Sequence, residues 1–237
     1  WPAVLESVFV SLAGIIDTFM VSSMGTYAVA ATGLIIQPKF LSLSFFFAIN
    51  VAVSALVARR LGQNNRRNAN QVLVTALMMI VLLCAVLTIV TVIFANPLIA
   101  ICGSNADTHE GAVIYFRVIQ VGMIFNVLSL VINAAQRGAG NTKIAMITNV
   151  TSSIVNIIFN YLLIGGNFGF PKWGLFGAAF ATVLGTVFAC AMSVHSLFQK
   201  DSYVSISYIL EEKIRPDFGS FHAIQKLGAN ILFENWA

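Results

Sequence analysis

The first apolar run of this chain carries two carboxylates, Glu6 and Asp17. They are 11 residues apart, about three helical turns, so a helix presents both on one face. Asp17 lies in Gly14-Ile15-Ile16-Asp17-Thr18-Phe19, with no basic residue on the same run to pair with it. An ionised carboxylate at such depth costs several kcal/mol or so unless it is paired or faces water. Asp17 is therefore expected to face a hydrated cavity. The plainer alternative is a protonated structural acid bonded to a neighbouring helix.

A polar stripe elsewhere could complete such a cavity. Asn149, Asn156 and Asn160 share one apolar run with Ser152 and Ser153. At about 100° per residue the three asparagines fall within roughly 40° of one another, and Ser153 lies beside them. Any one of these side chains could serve only to bond neighbouring helices. A stripe several turns long opposite an intramembrane acid points to a hydrated lumen. Asn126 and Asn133 form a lesser version of the same pattern. The three histidines and three cysteines have no metal-ligand spacing. Gly138-Ala139-Gly140 lacks the strand-to-helix context and the lysine of a phosphate loop.

The elements that position these groups are membrane helices. Hydrophobic residues make up 58% of the 237 and charged residues only 9%, with a mean hydropathy of +0.87. Soluble domains carry about 25% charged residues to face water, so the bilayer is the solvent here. The net charge of +4 sits in short loops and does not suggest nucleic acid. A spanning helix needs about 20 mainly apolar residues. Six runs qualify, at 2–22, 28–58, 70–100, 112–135, 144–164 and 175–197. The second is long enough to be tilted or to project from the hydrocarbon. Lys39, about 30 Å along that helix from Arg59, is expected near the opposite interface, where it can snorkel.

Basic residues alternate between the connections. Arg59, Arg60, Arg66 and Arg67 follow the second span, Arg137 and Lys143 flank the turn after the fourth, and Lys200, Lys213, Arg215 and Lys226 follow the sixth. The other three connections carry Lys172, with Arg117 just inside the fourth span. The positive-inside rule places the N-terminus and the segment after the sixth span in the cytoplasm. Gly177, Ala181, Gly185 and Ala189 recur at every fourth position of the sixth span, a ridge for close helix packing.

Residues 198–228 read as a polar cytoplasmic linker. Beyond them, Asn230-Ile231-Leu232-Phe233-Glu234 echoes Pro2-Ala3-Val4-Leu5-Glu6. Six helices between two copies leave both in the same orientation, as in transporters built from parallel repeats. The expected organisation is a six-helix lobe at 1–197, a linker at 198–228 and the start of a second lobe at 229–237. The fold class is all-α, a polytopic transmembrane bundle forming one half of a 6+6 transporter.

The turn Gln136-Arg137-Gly138-Ala139-Gly140-Asn141-Thr142-Lys143, the run from Asn156 to Pro171 (NIIFNYLLIGGNFGFP), the run from Gly174 to Thr182 (GLFGAAFAT) and the Asp17-Thr18 segment follow one another in order. Together they resemble the N-terminal lobe of the multidrug and toxic compound extrusion (MATE) transporters, over nearly the whole chain. The resemblance implies twelve helices in two lobes and efflux of amphipathic, often cationic compounds against inward H⁺ or Na⁺. It implies a monomer once both lobes are present, in a bacterial inner membrane. Asp17 matches the family's cation-coupling aspartate, and is a metal ligand only if the ion is Na⁺. Asn156, Thr182 and Tyr115 match cavity-lining polar positions, with Asn160, Asn149 and Ser153 on the same stripe. Some members carry aspartate where this chain has Asn160, which leaves Asp17 as the main titrating group of the lobe. No cofactor and no enzymatic activity are expected. The rival readings are a lipid or lipid-linked precursor flippase of related architecture, a passive channel and an intramembrane enzyme.

Overall fold

The structure, a computed structural model, describes residues 2–199 and 202–236. Lys200, counted above among the basic residues after the sixth span, lies outside the described residues, as do Trp1, Ala237 and the side chains of the echoed segments at 2–3 and 231–236. The helices are α1 (Pro2–Ser22), α2 (Thr26–Leu34), α3 (Ile36–Gly62), α4 (Arg66–Ile93), α5 (Ala95–Ile101), α6 (Ala106–Gly138), α7 (Thr142–Gly165), α8 (Gly174–Ser196), α9 (Ile206–Glu211) and α10 (Phe218–Trp236). There is no strand among the described residues. Six stretches are long and apolar enough to cross a bilayer: α1, α2 with α3, α4, α6, α7 and α8. Helices satisfy their backbone groups internally, which is what a hydrocarbon solvent demands.

Two expected spans are broken, and proline breaks both. The second run divides at Ile35, between α2 and α3. Pro38 has no N–H to give the carbonyl of Leu34, four residues earlier, and its ring crowds that oxygen. The third run, expected to continue through 100, divides at Phe94, four residues after which the chain would need an N–H at Leu98 and finds it, 3.0 Å from the Phe94 carbonyl. Pro97 cannot do the same for Ile93, the last residue of α4.

The basic turns are shaped by left-handed caps. After α6, Gly140 adopts φ +87°; Asn141 N–H bonds the Gln136 carbonyl at 2.8 Å and Gly140 N–H the Arg137 carbonyl at 3.0 Å. This paired closure is a Schellman motif, and glycine adopts its positive φ without steric cost.

Helix α6 is the spine of the bundle, packed against α8, α3 and α4 along its length. One apolar cluster joins α3, α4, α6 and α10 through Phe46, Val53, Leu73, Ile80, Ile132 and Ile224. A second joins α1, α2, α5, α6, α7 and α8 through Val21, Ala31, Ile99, Phe116, Ile164 and Ala178. The small-residue ridge of α8 meets α7. A Cβ at Gly177 would stand 2.7 Å from the Leu163 carbonyl oxygen, and one at Gly185 2.8 Å from that of Ser152. Dispersion contact between close backbones drives such pairing, since lipid offers no hydrophobic gain.

The segment expected as a linker is largely ordered onto the lobe. Arg66 donates to the carbonyls of Tyr203 (3.0 Å) and Ser202 (2.9 Å) and stacks 4.5 Å above the Tyr208 ring. Asn70 donates to the Tyr203 carbonyl at 3.1 Å and accepts from Ser205 N–H at 3.0 Å. Helix α10 begins at Phe218, eleven residues before the expected start at 229, and packs on α3 and α4.

Candidate functional site

Helices α1 and α7 lie side by side, and their polar groups meet in two places. Towards the middle, Asn160 donates its side-chain amide to a carboxylate oxygen of Asp17 and to Asn156 Oδ1 at 3.2 Å. Asn156 Nδ2 donates in turn to Thr182 Oγ1 at 3.1 Å, and that hydroxyl donates to the Ala178 carbonyl at 3.0 Å. The relay runs from α1 through α7 to α8. Tyr115, buried on α6, brings its hydroxyl within reach of Thr182 and close to Asp17. Asp17, Asn156, Asn160, Thr182 and Tyr115 are thus brought together.

Asn149 and Ser153 are not part of this cluster. Asn149 donates to Glu6, nearer the start of both helices, and Ser153 bonds back to the Asn149 carbonyl at 3.0 Å. Arg137 stands 3.9 Å from the same Glu6 carboxylate and donates to Asn50 Oδ1 at 3.5 Å. The stripe on α7 is therefore shared between two acids about 16 Å apart along α1.

Asn160 is completely buried, and its Oδ1 has no hydrogen-bond partner. Both N–H groups of its amide are used, so the free oxygen is the acceptor half. A buried acceptor left unmet costs roughly 1–3 kcal/mol. Beside a carboxylate it presents oxygen ligands of the kind hard cations prefer. Among the described residues no group of three or more His, Cys, Asp or Glu gathers as a transition-metal site would require.

Lys39 does not snorkel to the interface as expected. It turns inward to line a cavity of about 30 Å³ with Asn126, Thr182, Thr186 and Gly122, and lies within electrostatic range of Asp17. Lys39 and Arg59 lie on the unbroken helix α3, so the counted separation stands; what the count could not give is the face on which Lys39 meets α6 and α8. Sequence reasoning also missed Gln120, buried on α6, which donates to Ser42 Oγ (3.2 Å) and Thr91 Oγ1 (2.9 Å) and so ties three helices together. A single glutamine has no periodic partner to mark it. Asn133 forms a buried triad with Ser129 and Ser193, interhelical glue and not cavity lining.

Residues 2–162 match the MatE family. The chain is 30% identical over 187 residues to the probable multidrug resistance protein YoeA of Bacillus subtilis, covering 78% of this chain and 40% of that protein. It is 30% identical over 184 residues to an FAD transporter of Shewanella oneidensis, covering 78% and 41%. A solved outward-facing structure of a multidrug resistance MATE family transporter superposes with a TM-score of 0.88 at 27% identity, covering 98% of this chain and 50% of that one. The chain thus spans half or less of the length of these relatives.

Proposed function

We propose that this chain, which belongs to the MATE family of multidrug efflux transporters, forms the N-terminal lobe of an exporter that exchanges cytoplasmic amphipathic or cationic compounds for inward H⁺ or Na⁺. The relay from Asp17 through Asn160 and Asn156 to Thr182 carries this reading. A proton or Na⁺ that neutralises Asp17 weakens its bond from Asn160, because a hydrogen bond to a charged acceptor is about twice as strong as a neutral one. The unmatched Asn160 Oδ1 then becomes available to the incoming cation. Loosening α1 from α7 changes the cavity that substrate sees, so ion and substrate compete for one site. Each shifts the lobes only by its differential affinity for the inward-open and outward-open states. Rocking of two lobes about a central site completes the cycle. The name of the Shewanella relative extends the possible cargo to a phosphate-bearing organic anion.

The deciding measurement is substrate flux in proteoliposomes carrying the complete two-lobe protein, with Asp17→Asn. Flux driven by a H⁺ or Na⁺ gradient should fall to the level of empty vesicles while substrate binding persists. Undiminished ion-driven flux would remove Asp17 from the coupling step.

A further inference from the structure

Lys39 is an amine placed in the lobe's interior with no role in the relay. Among the described residues it makes no side-chain hydrogen bond and no ion pair, and its cavity is built from polar groups of three other positions, Asn126, Thr182 and Thr186. The hydroxyls are already committed as donors. Thr182 Oγ1 donates to the Ala178 carbonyl, and Thr186 Oγ1 to that of Val183 at 2.7 Å. Donors left to face the cavity are therefore the Lys39 amine and the Asn126 amide. The Lys39 amine has no hydrogen-bonded partner among the described residues, and no acidic side chain lines the cavity, although oxygens of Asn126, Thr182 and Thr186 do; a carboxylate would give the amine a charged partner. The carboxylate of Asp17 is near enough to be felt by Lys39 but does not reach it as an ion pair.

Size narrows the occupant. About 30 Å³ is the space of roughly two waters by the same measure, enough for a carboxylate head with the body of the substrate left outside. The apolar wall of Ile119, Met123 and Val183 suits the first carbons behind such a head. Thr182 lines this cavity and also ends the Asp17 relay, so the two sites share a wall.

We infer that Lys39, with Asn126, is a second recognition pole that holds the acidic head of an amphipathic substrate, opposite in sign to Asp17. The transporter then accepts organic acids as well as cations, and discriminates them by which pole they occupy. The route such a substrate takes rests on the exporter reading; its binding does not. An ammonium hydrogen-bonded to a carboxylate contributes enough that its loss costs about tenfold or more in affinity.

The test is equilibrium binding to the complete transporter in detergent, with no ion gradient, using 2-naphthoate and its methyl ester as probes. Lys39→Met should weaken 2-naphthoate by about tenfold or more and leave the ester unchanged, and Lys39→Arg should recover most of the acid's affinity. Ester binding also reports that the variant is folded. Replacing chloride with gluconate separates the two sources of negative charge. Tighter 2-naphthoate binding in gluconate, in wild type and not in Lys39→Met, means that free halide enters the same pole. No change means that the pole takes the substrate's carboxylate alone. Acid affinity untouched by Lys39→Met, or acid and ester falling together, overturns the proposal. Neither result bears on Asp17, whose role is read separately from gradient-driven flux.

Discussion

Asp17 accepts a hydrogen bond from Asn160 across 143 residues of chain, and Glu6 accepts one from Asn149 across the same 143. Equal offsets mean that α1 and α7 run parallel and in register. The first and fifth spans of an alternating bundle must point the same way, so the register is also a topological finding. Three turns separate the two contacts on each helix, which is why both acids and both asparagines share facing sides.

The outer contact is expected to be replaceable and the charge within it dispensable. Glu6 and Arg137 are 3.9 Å apart and partly exposed, a geometry worth about 0–1 kcal/mol. Glu6→Gln keeps an oxygen for Asn149 and should lower stability by less than about 1 kcal/mol. Glu6→Leu strands the Asn149 amide and should cost about 1–3 kcal/mol. Thermal unfolding of the two variants in one detergent checks the difference, and equal losses would show that the carboxylate charge itself holds α1.

The inner contact should show strong coupling in a double-mutant cycle. Asn160→Leu removes the donor to Asp17 and to Asn156 Oδ1 together. Adding Asp17→Asn should then cost less than it does alone, with an interaction term of about 0.5–3 kcal/mol. Simple additivity of the two losses would mean that the pair does not act as a unit.

Close packing of α8 on α7 makes a single methyl group disruptive. Gly185→Ala puts a carbon 2.8 Å from the Ser152 carbonyl and 3.3 Å from Asn156 Cβ, against backbone that cannot turn aside. A loss of about 1–3 kcal/mol is expected from such overpacking. Gly62→Ala, with nothing within 4 Å of the added carbon, should be neutral within about 0.5 kcal/mol. The same unfolding assay compares them.

Arg66 holds the segment after α8 in place, so its removal should free that segment without unfolding the lobe. Limited proteolysis of Arg66→Ala is expected to cut within 202–217 at least several times faster than wild type. Arg66→Lys should rescue little, because the paired carbonyl contacts and the stack on Tyr208 use the planar guanidinium. Full protection in Arg66→Lys would assign the clamp to charge alone.

Composition by itself determined that this chain is a membrane bundle, because too few charges exist to clothe it in water. Hydrophobic run length determined six spans for the same reason, and helical periodicity put Glu6 in line with Asp17 and Asn156 in line with Asn160. These are local properties, set by rise and turn along one helix. Which acid each asparagine would meet depended on the register between α1 and α7, elements separated by more than 100 residues of chain. Lys39 shows the limit most clearly. Counting along α3 gives its distance from Arg59, but not that its face of the helix meets α6 and α8, where the amine lines the cavity beside Thr182. Asp17 could be recognised from its isolation in an apolar run. Its relay to Thr182 and the Lys39 amine that shares its wall arose only when four helices closed around them.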